Sequence, residues 1–223
     1  MQNTYTRDRP SPRYERLLRL YRQIHVEGEA FRGLSPEHVF PGKSLPPQAH
    51  HIKRLIGECG ARTLLDYGSG KGQQYRYWPY RDAEGNTYPH LQAYFGVDVT
   101  CYDPGYAPFS TLPAGPFDGV VCTDVLEHVP EEDVPWVLAE LFGYARAFVF
   151  ANVACFPAAK RLPNGQNAHC TVKPVGWWRR EVQRAAAARP GVRYEVRLVE
   201  RDGAGRPVES VLADDAAAGK GKA

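Results

Sequence analysis

The stretch Thr63-Leu64-Leu65-Asp66-Tyr67-Gly68-Ser69-Gly70-Lys71-Gly72 decides the fold. A short apolar run passes directly into a glycine-dense turn, with a polar segment after it. Three glycines in G-x-G-x-G register let the chain turn sharply after a buried strand and approach a ligand where a Cβ would collide. Asp66 stands just before the turn, where its carboxylate can accept hydrogen bonds from loop amides or from a cationic ligand group. Such a junction opens nucleotide-handling α/β domains. The spacing excludes two versions of it. A G-x-G-x-x-G dinucleotide fingerprint needs glycine at 73, where Gln73 stands. A G-x-x-x-x-G-K-[ST] phosphate loop fails as well, because Gly42-Lys43-Ser44 has Glu37 at the first glycine position.

Upstream, Leu17, Leu18, Tyr21 and Ile24 recur at helical spacing, while Arg13, Arg16, Arg19 and Arg22 take other faces. That pattern predicts an amphipathic helix with a solvated basic face, preceded by a loosely ordered polar segment to Pro12. A Gly/Pro-punctuated connection from Gly28 to Pro47 carries Phe40 and Lys43, which a turn can hold over a ligand. Residues 1–47 therefore read as a helix with a lid-like segment, 48–212 as the main domain and 213–223 as a disordered tail. Gln48 to Cys59 is a helix stopped by Gly60.

Downstream, Gln73 to Tyr80 continues as a helix up to Pro79, and the turn-rich stretch around Gly85 is an insertion, either a substrate-side loop or a solvent hairpin. Ala93 to Tyr102 reads as the second strand, broken at Asp103-Pro104-Gly105. The span from Gly105 to Pro116 holds Pro108, Pro113 and Pro116 and is too short for a full helix and third strand. Phe117 to Val129 is a buried strand ending in the polar cluster Thr123-Asp124-Val125-Leu126-Glu127-His128. A helix over Glu131 to Tyr144, a strand over Arg146 to Ala154, a helix from Lys173-Pro174 to Ala188, and a hairpin of Tyr194 to Glu200 with Val208 to Leu212 follow.

The string Leu-Leu-Asp-Tyr-Gly-Ser-Gly-Lys-Gly, followed in order by F-D-x-V-x-x-x-x-V-L-E-H, resembles the first and fourth-strand motifs of the class I S-adenosylmethionine (SAM) dependent methyltransferases. The resemblance covers roughly Gln48 to Leu212. It implies a Rossmann-like α/β sheet of about seven strands with flanking helices, here with a shortened third-strand region and a helical N-terminal extension. SAM is the implied cofactor, and Asp66, Gly68, Ser69, Gly70, Gly72, Thr123, Asp124 and Val125 are the implied contacts. An acid at the carboxyl end of the second strand would take the ribose hydroxyls. Asp103 is preferred for that role because the β-type run breaks only at Pro104; Asp98, in Phe-Gly-Val-Asp, is the rival. The adenine contacts stay unassigned.

Methyl transfer asks the protein mainly to align donor and acceptor and to exclude water, with a base for a neutral acceptor. His169 is the first candidate base, accompanied by Asn167 in the loop past the fifth strand. A loop-holding role for His169 stands equally. His128 is the second, with packing or capping as its alternative, and Asp124 would orient acceptor or base. Trp177 and Trp178 are pocket-wall candidates. A net charge of +3 is too mild to argue for nucleic acid. The Asn/Asp-Pro-Pro-aromatic string of exocyclic-amine DNA enzymes is absent, and no Pro-Cys nucleophile occurs. The expected acceptor is therefore an O or N atom of a small or sugar-like molecule. A nucleic-acid acceptor and a non-catalytic SAM-binding subunit remain the alternatives. The five cysteines form no C-x-x-C pair, so no metal site is expected and a reducing cytoplasm fits. No signal peptide and no apolar run of spanning length is read, so no membrane partner is expected.

Overall fold

The computed structural model describes residues 5–29 and 32–214. The quoted stretch forms β1 (Thr63–Tyr67), and parallel strands flank it on both sides. These are β4 (Asp98–Tyr102) on one side and β5 (Phe117–Thr123) on the other. The sheet continues through β6 (Ala145–Ala154) and β7 (Arg193–Arg201), both parallel, to β8 (Pro207–Ala213), which is antiparallel at the edge. The order is β4-β1-β5-β6-β7-β8, a mainly parallel sheet compatible with a Rossmann-like fold.

Side-chain alternation sorts the strands' residues between two cores. Leu64, Val121, Phe148 and Phe150 pack under α2 (Ala49–Cys59) and α3 (Leu91–Phe95). Leu65, Val120, Cys122 and Val149 pack on the other face, under α4 (Val134–Tyr144) and α5 (Val175–Ala187). Trp178 of α5 is fully buried there.

Several expectations change. The sheet has six strands, not seven. Between Asp103 and Phe117 only a 3-10 turn forms, at Ala107–Phe109, because prolines deny the segment the amide donors a ladder needs, and β4 is left as the edge. Gln73 to Tyr80 is no helix; a single 3-10 turn, Gln73–Tyr75, buries Tyr75, and the chain then enters β2 (Tyr80–Arg81). That strand pairs with β3 (Thr87–Tyr88), so the insertion is a two-stranded hairpin. Ala93 to Phe95, read as strand, is helical in α3: His90 Nδ1 accepts from the Ala93 amide at 3.1 Å and Gly96 ends the turn. Helix α4 starts at Val134 rather than Glu131, with Pro135 in its first turn.

The segment before α1 (Pro12–Glu27) is also tied down where loose order was expected. Arg7 pairs with Glu140 and donates to Tyr67 Oη at 2.6 Å and Tyr102 Oη at 3.0 Å. Ser11 caps α1, accepting from the Tyr14 amide at 3.0 Å, while its own amide donates to the fully buried Asp133 Oδ1 at 2.9 Å. Trp136 Nε1 donates to the same oxygen at 2.8 Å. These bonds lay α1 across the carboxyl ends of the strands. Arg13, Arg16, Arg19 and Arg22 are exposed on its outer side, as the spacing implied. The tail from residue 215 lies outside the described residues, and no helix among them is long and apolar enough to cross a membrane.

Asp133→Ala leaves the Ser11 amide and the Trp136 indole without an acceptor, and we expect a loss of about 2–4 kcal/mol. Urea unfolding should show a lower midpoint at unchanged slope.

Candidate functional site

A cavity of about 990 Å³ opens at the carboxyl ends of β1, β4, β5 and β6. Open parallel sheets place ligands there. Its roof is α1, through Tyr14, Leu17, Tyr21 and His25, together with the segment from Leu34 to Ser44. Its floor is the glycine loop, and its far wall carries Phe156 to Lys160 and His169.

The loop is held from beneath by the end of β4. Gly68 and Ser69 amides donate to Tyr102 O at 2.7 and 3.1 Å, and the Gly70 amide donates to Asp103 Oδ2 at 2.9 Å. Asp103 Oδ1 accepts from the Gly105 amide at 2.8 Å. At Gly68 (φ +84°) a Cβ would lie 2.3 Å from Val125, and at Gly70 (φ +58°) 2.9 Å from Phe40 O. The glycines thus permit close approach between parts of this chain itself, the loop being clasped by Val125 and the roof segment. Gly72 does not border the cavity; its Cα faces Cys101 and Phe109.

Two buried carboxyls stand at this floor. Asp66 Oδ2 accepts from Tyr75 Oη at 2.9 Å, and Oδ1 has no partner. Burial first, then the Asp103 charge, pushes Asp66 up from 3.8 to about 7, while burial alone raises Asp103 to about 6 against its backbone hydrogen bonds. Asp98 is not brought to the cavity. It is exposed at the amino end of β4, opposite Thr63, about 13 Å of strand away from Tyr102.

Across the cavity, β5 ends in Thr123, Asp124 and Val125, all of which border it. Asp124 takes a left-handed backbone (φ +60°), unusual for a residue other than glycine, and its half-exposed carboxylate lines the cavity. The chain then makes a 3-10 turn over Leu126–His128. His128 Nδ1 lies 2.9 Å from Ala168 O, which can only accept, so that nitrogen carries its proton; Tyr21 Oη is 2.7 Å from it. Desolvation holds His128 down at about 4 and hence neutral. His169 Nδ1 likewise meets Phe156 O at 2.6 Å. The two rings sit edge to face at 4.8 Å, and His169 Nε2 is 3.9 Å from Asp124 Oδ1. One ligand atom from each of Asp124, His128 and His169 fits within 4.8 Å of the others, a juxtaposition the sequence did not announce.

Asn167 is not at the cavity. Its side chain is spent on Ala158 N at 2.9 Å, Ala158 O at 2.8 Å and the His169 amide at 3.0 Å, so it shapes the loop that presents His169. Neither tryptophan walls the cavity: Trp178 is core, and Trp177 packs against it. The insertion hairpin also stays outside, and of the stretch before it Gln74 and Trp78 reach the cavity. Sequence reasoning missed three contributors. Tyr21 was counted with an apolar helix face. His25, held at about 4 mainly by burial, is layered between Phe40 and Tyr106 at 4.5 and 5.0 Å. Glu127, fully buried, was passed over in favour of its neighbour His128.

Among known proteins, no family model matches the chain and no curated protein matches it. Fold and cavity define a class only: an α/β protein with a mainly parallel sheet, compatible with a Rossmann-like fold, and one deep cavity at the strand ends.

Asp66 gives this site a pH signature. Below about pH 3.8 folded and unfolded chains both carry the proton; between that value and about 7 only the folded chain does. Stability therefore falls as pH rises through that window, by on the order of 4 kcal/mol, and stays low above it. Asp66→Asn should raise the melting temperature at pH 8 and leave it nearly unchanged at pH 3.5.

Proposed function

We propose that the protein is a SAM-dependent methyltransferase acting on an oxygen or nitrogen atom of a small or sugar-like molecule. The observation that carries this reading is that two chemically different sets of groups share one cavity. Two buried carboxyls stand beside the glycine loop, and a carboxylate with two imidazoles stands at the opposite side. About 990 Å³ is at the upper end of ligand cavities, roughly 300–1,000 Å³, so a nucleoside-sized molecule and a second small one have room.

The residues present suit such a donor. Asp66 Oδ1 is a buried acceptor without a partner, and each Asp103 oxygen keeps a lone pair beyond its one backbone bond. Ribose hydroxyls and an amino group are the donors these atoms lack. A bound sulfonium supplies an already activated methyl group, so the chain's task is alignment and dryness. The roof from Leu34 to Ser44 and α1 exclude water from above. Asp66 and Asp103 would hold the donor beside the glycine loop, where it would supply a methyl group to the acceptor's lone pair with sulfur as the leaving atom. A hydroxyl acceptor sheds its proton on the Asp124, His128 and His169 side. None of the exposed arginines of α1 borders the cavity, which favours a small acceptor over nucleic acid.

Isothermal titration with SAM tests the reading. SAM should bind, at least tenfold more weakly in Asp103→Ala and unchanged in Asp98→Ala, and NAD should not compete. Absence of SAM binding would withdraw the assignment.

A further inference from the structure

We infer that Asp124, His128 and His169 form a binding site for one divalent first-row transition-metal cation, with open coordination positions towards the cavity. The donor chemistry is the first argument. Each histidine has its Nδ1 proton committed to a backbone carbonyl, His128 to Ala168 O and His169 to Phe156 O. That fixes the tautomer with the lone pair on Nε2, and neither Nε2 has a hydrogen-bond partner among the described residues. Metal-binding imidazoles have their second nitrogen tied down in this way. The His169 side chain is only 7% exposed, and its Nε2 faces the Asp124 carboxylate at 3.9 Å.

An unpartnered buried oxygen is the second argument. Glu127 is fully buried, its Oε1 accepts from the Ala154 amide at 2.6 Å and its Oε2 has no partner. Lys160 does not reach it, being 3.9 Å from Glu29 and 4.0 Å above the Phe40 ring. The third argument is backbone geometry: the left-handed φ of Asp124 is a strained state for an aspartate, and it aims the carboxylate into the cavity beside the two rings.

Two imidazoles and a carboxylate suit Mn²⁺, Fe²⁺, Co²⁺ or Zn²⁺ better than Mg²⁺ or Ca²⁺. Metal bonds of about 2.0–2.2 Å put three neighbouring ligand atoms roughly 3.0–3.6 Å apart, so the group, now within 4.8 Å, contracts by about 1–2 Å through side-chain rotation on binding. Three protein ligands leave positions free for solvent or substrate. The cation's role rests on the methyl-transfer reading: an acceptor hydroxyl coordinates, loses its proton to water, and attacks as an alkoxide. The acceptor class is thereby narrowed to a hydroxyl compound, and His169 serves as a ligand instead of a base.

The test uses the whole protein after EDTA dialysis, titrated with MnCl₂ by calorimetry and by loss of the free Mn²⁺ electron paramagnetic resonance signal. One Mn²⁺ per chain is expected, with affinity at least tenfold lower in His169→Ala and in Asp124→Asn and unchanged in Asp98→Asn. Asp124 is half-exposed, so its variant should keep the wild-type circular dichroism spectrum even if His169→Ala does not fold. Failure of the folded wild-type protein to bind Mn²⁺, or equal affinity in Asp124→Asn, would overturn the site. SAM binding without Mn²⁺ binding sinks the metal site alone. Mn²⁺ binding without SAM binding upholds the site and sinks the methyl-transfer reading.

Discussion

The carboxylate of Asp103 is the fixed point of this molecule. It reaches from the end of β4 to the amide of Gly70 on one side and Gly105 on the other, so the loop after β1 cannot move independently of the neighbouring strand. Tyr102 O does the same for Gly68 and Ser69. Burying a carboxyl is unfavourable, and the rise of Asp103 to about 6 records that penalty after two amide bonds have offset part of it. The outcome is a rigid floor, and everything that surrounds the cavity is built on it. Val125 fits against Gly68, and Phe40 fits against Gly70, only because those positions lack a Cβ.

The roof depends on a different buried acid. Asp133 holds the Ser11 cap and Trp136, and Arg7 threads between Tyr67, Tyr102 and Glu140. Helix α1 is thus fastened at its start to α4 and to the two strands that carry the glycine loop and Asp103. Farther along the helix, Tyr21 meets His128 and Ala168, and Arg22 donates to Pro104 O at 3.2 Å. A helix that looked like an N-terminal extension in the sequence is a wall of the cavity, touching both of its chemically distinct sides.

What the sequence disclosed depended on whether the deciding interaction was local. β1, β5 and β6 were legible because a buried parallel strand needs a continuous apolar run, and the glycine loop because its turn needs specific residues. The choice of Asp103 over Asp98 rested on a local break at Pro104, and the β1–β4 register sets Asp103 at the loop end of the sheet. By contrast, Ala93-Tyr94-Phe95 has strand-like composition, and one histidine cap turned it into helix. Tyr102 and Arg7 were silent because their partners lie far off in sequence. The meeting of His169 with His128 was illegible for the same reason. It depends on Asn167 folding its loop against Ala158, and on Thr171 bonding back to Glu127 and Val129.

The cavity's charge pattern constrains what can enter it. Asp66, Asp103 and Asp124 border it and Glu127 lies just behind. Among the described residues, its cationic neighbours are mostly engaged: Arg32 is 3.7 Å from Glu29, Lys160 is 3.9 Å from the same acid, and Arg201 lies 4.3 Å over Phe156 and donates to Gly205 O. Lys71 below the roof is spent on Pro36 O. A phosphate-rich ligand would meet carboxyls on the floor with few free cations to receive it, and in a low-dielectric cavity that repulsion is costly. A ligand bearing positive charge, or one rich in hydroxyl and amino donors, meets the opposite condition. On the proposed reading, a sulfonium would be drawn towards Asp103, and towards Asp66 once it ionises, and a metal cation towards Asp124. Both ends of the proposed reaction would therefore draw on acids placed by the ends of three adjacent parallel strands, Asp66 and Asp103 buried and Asp124 half-exposed.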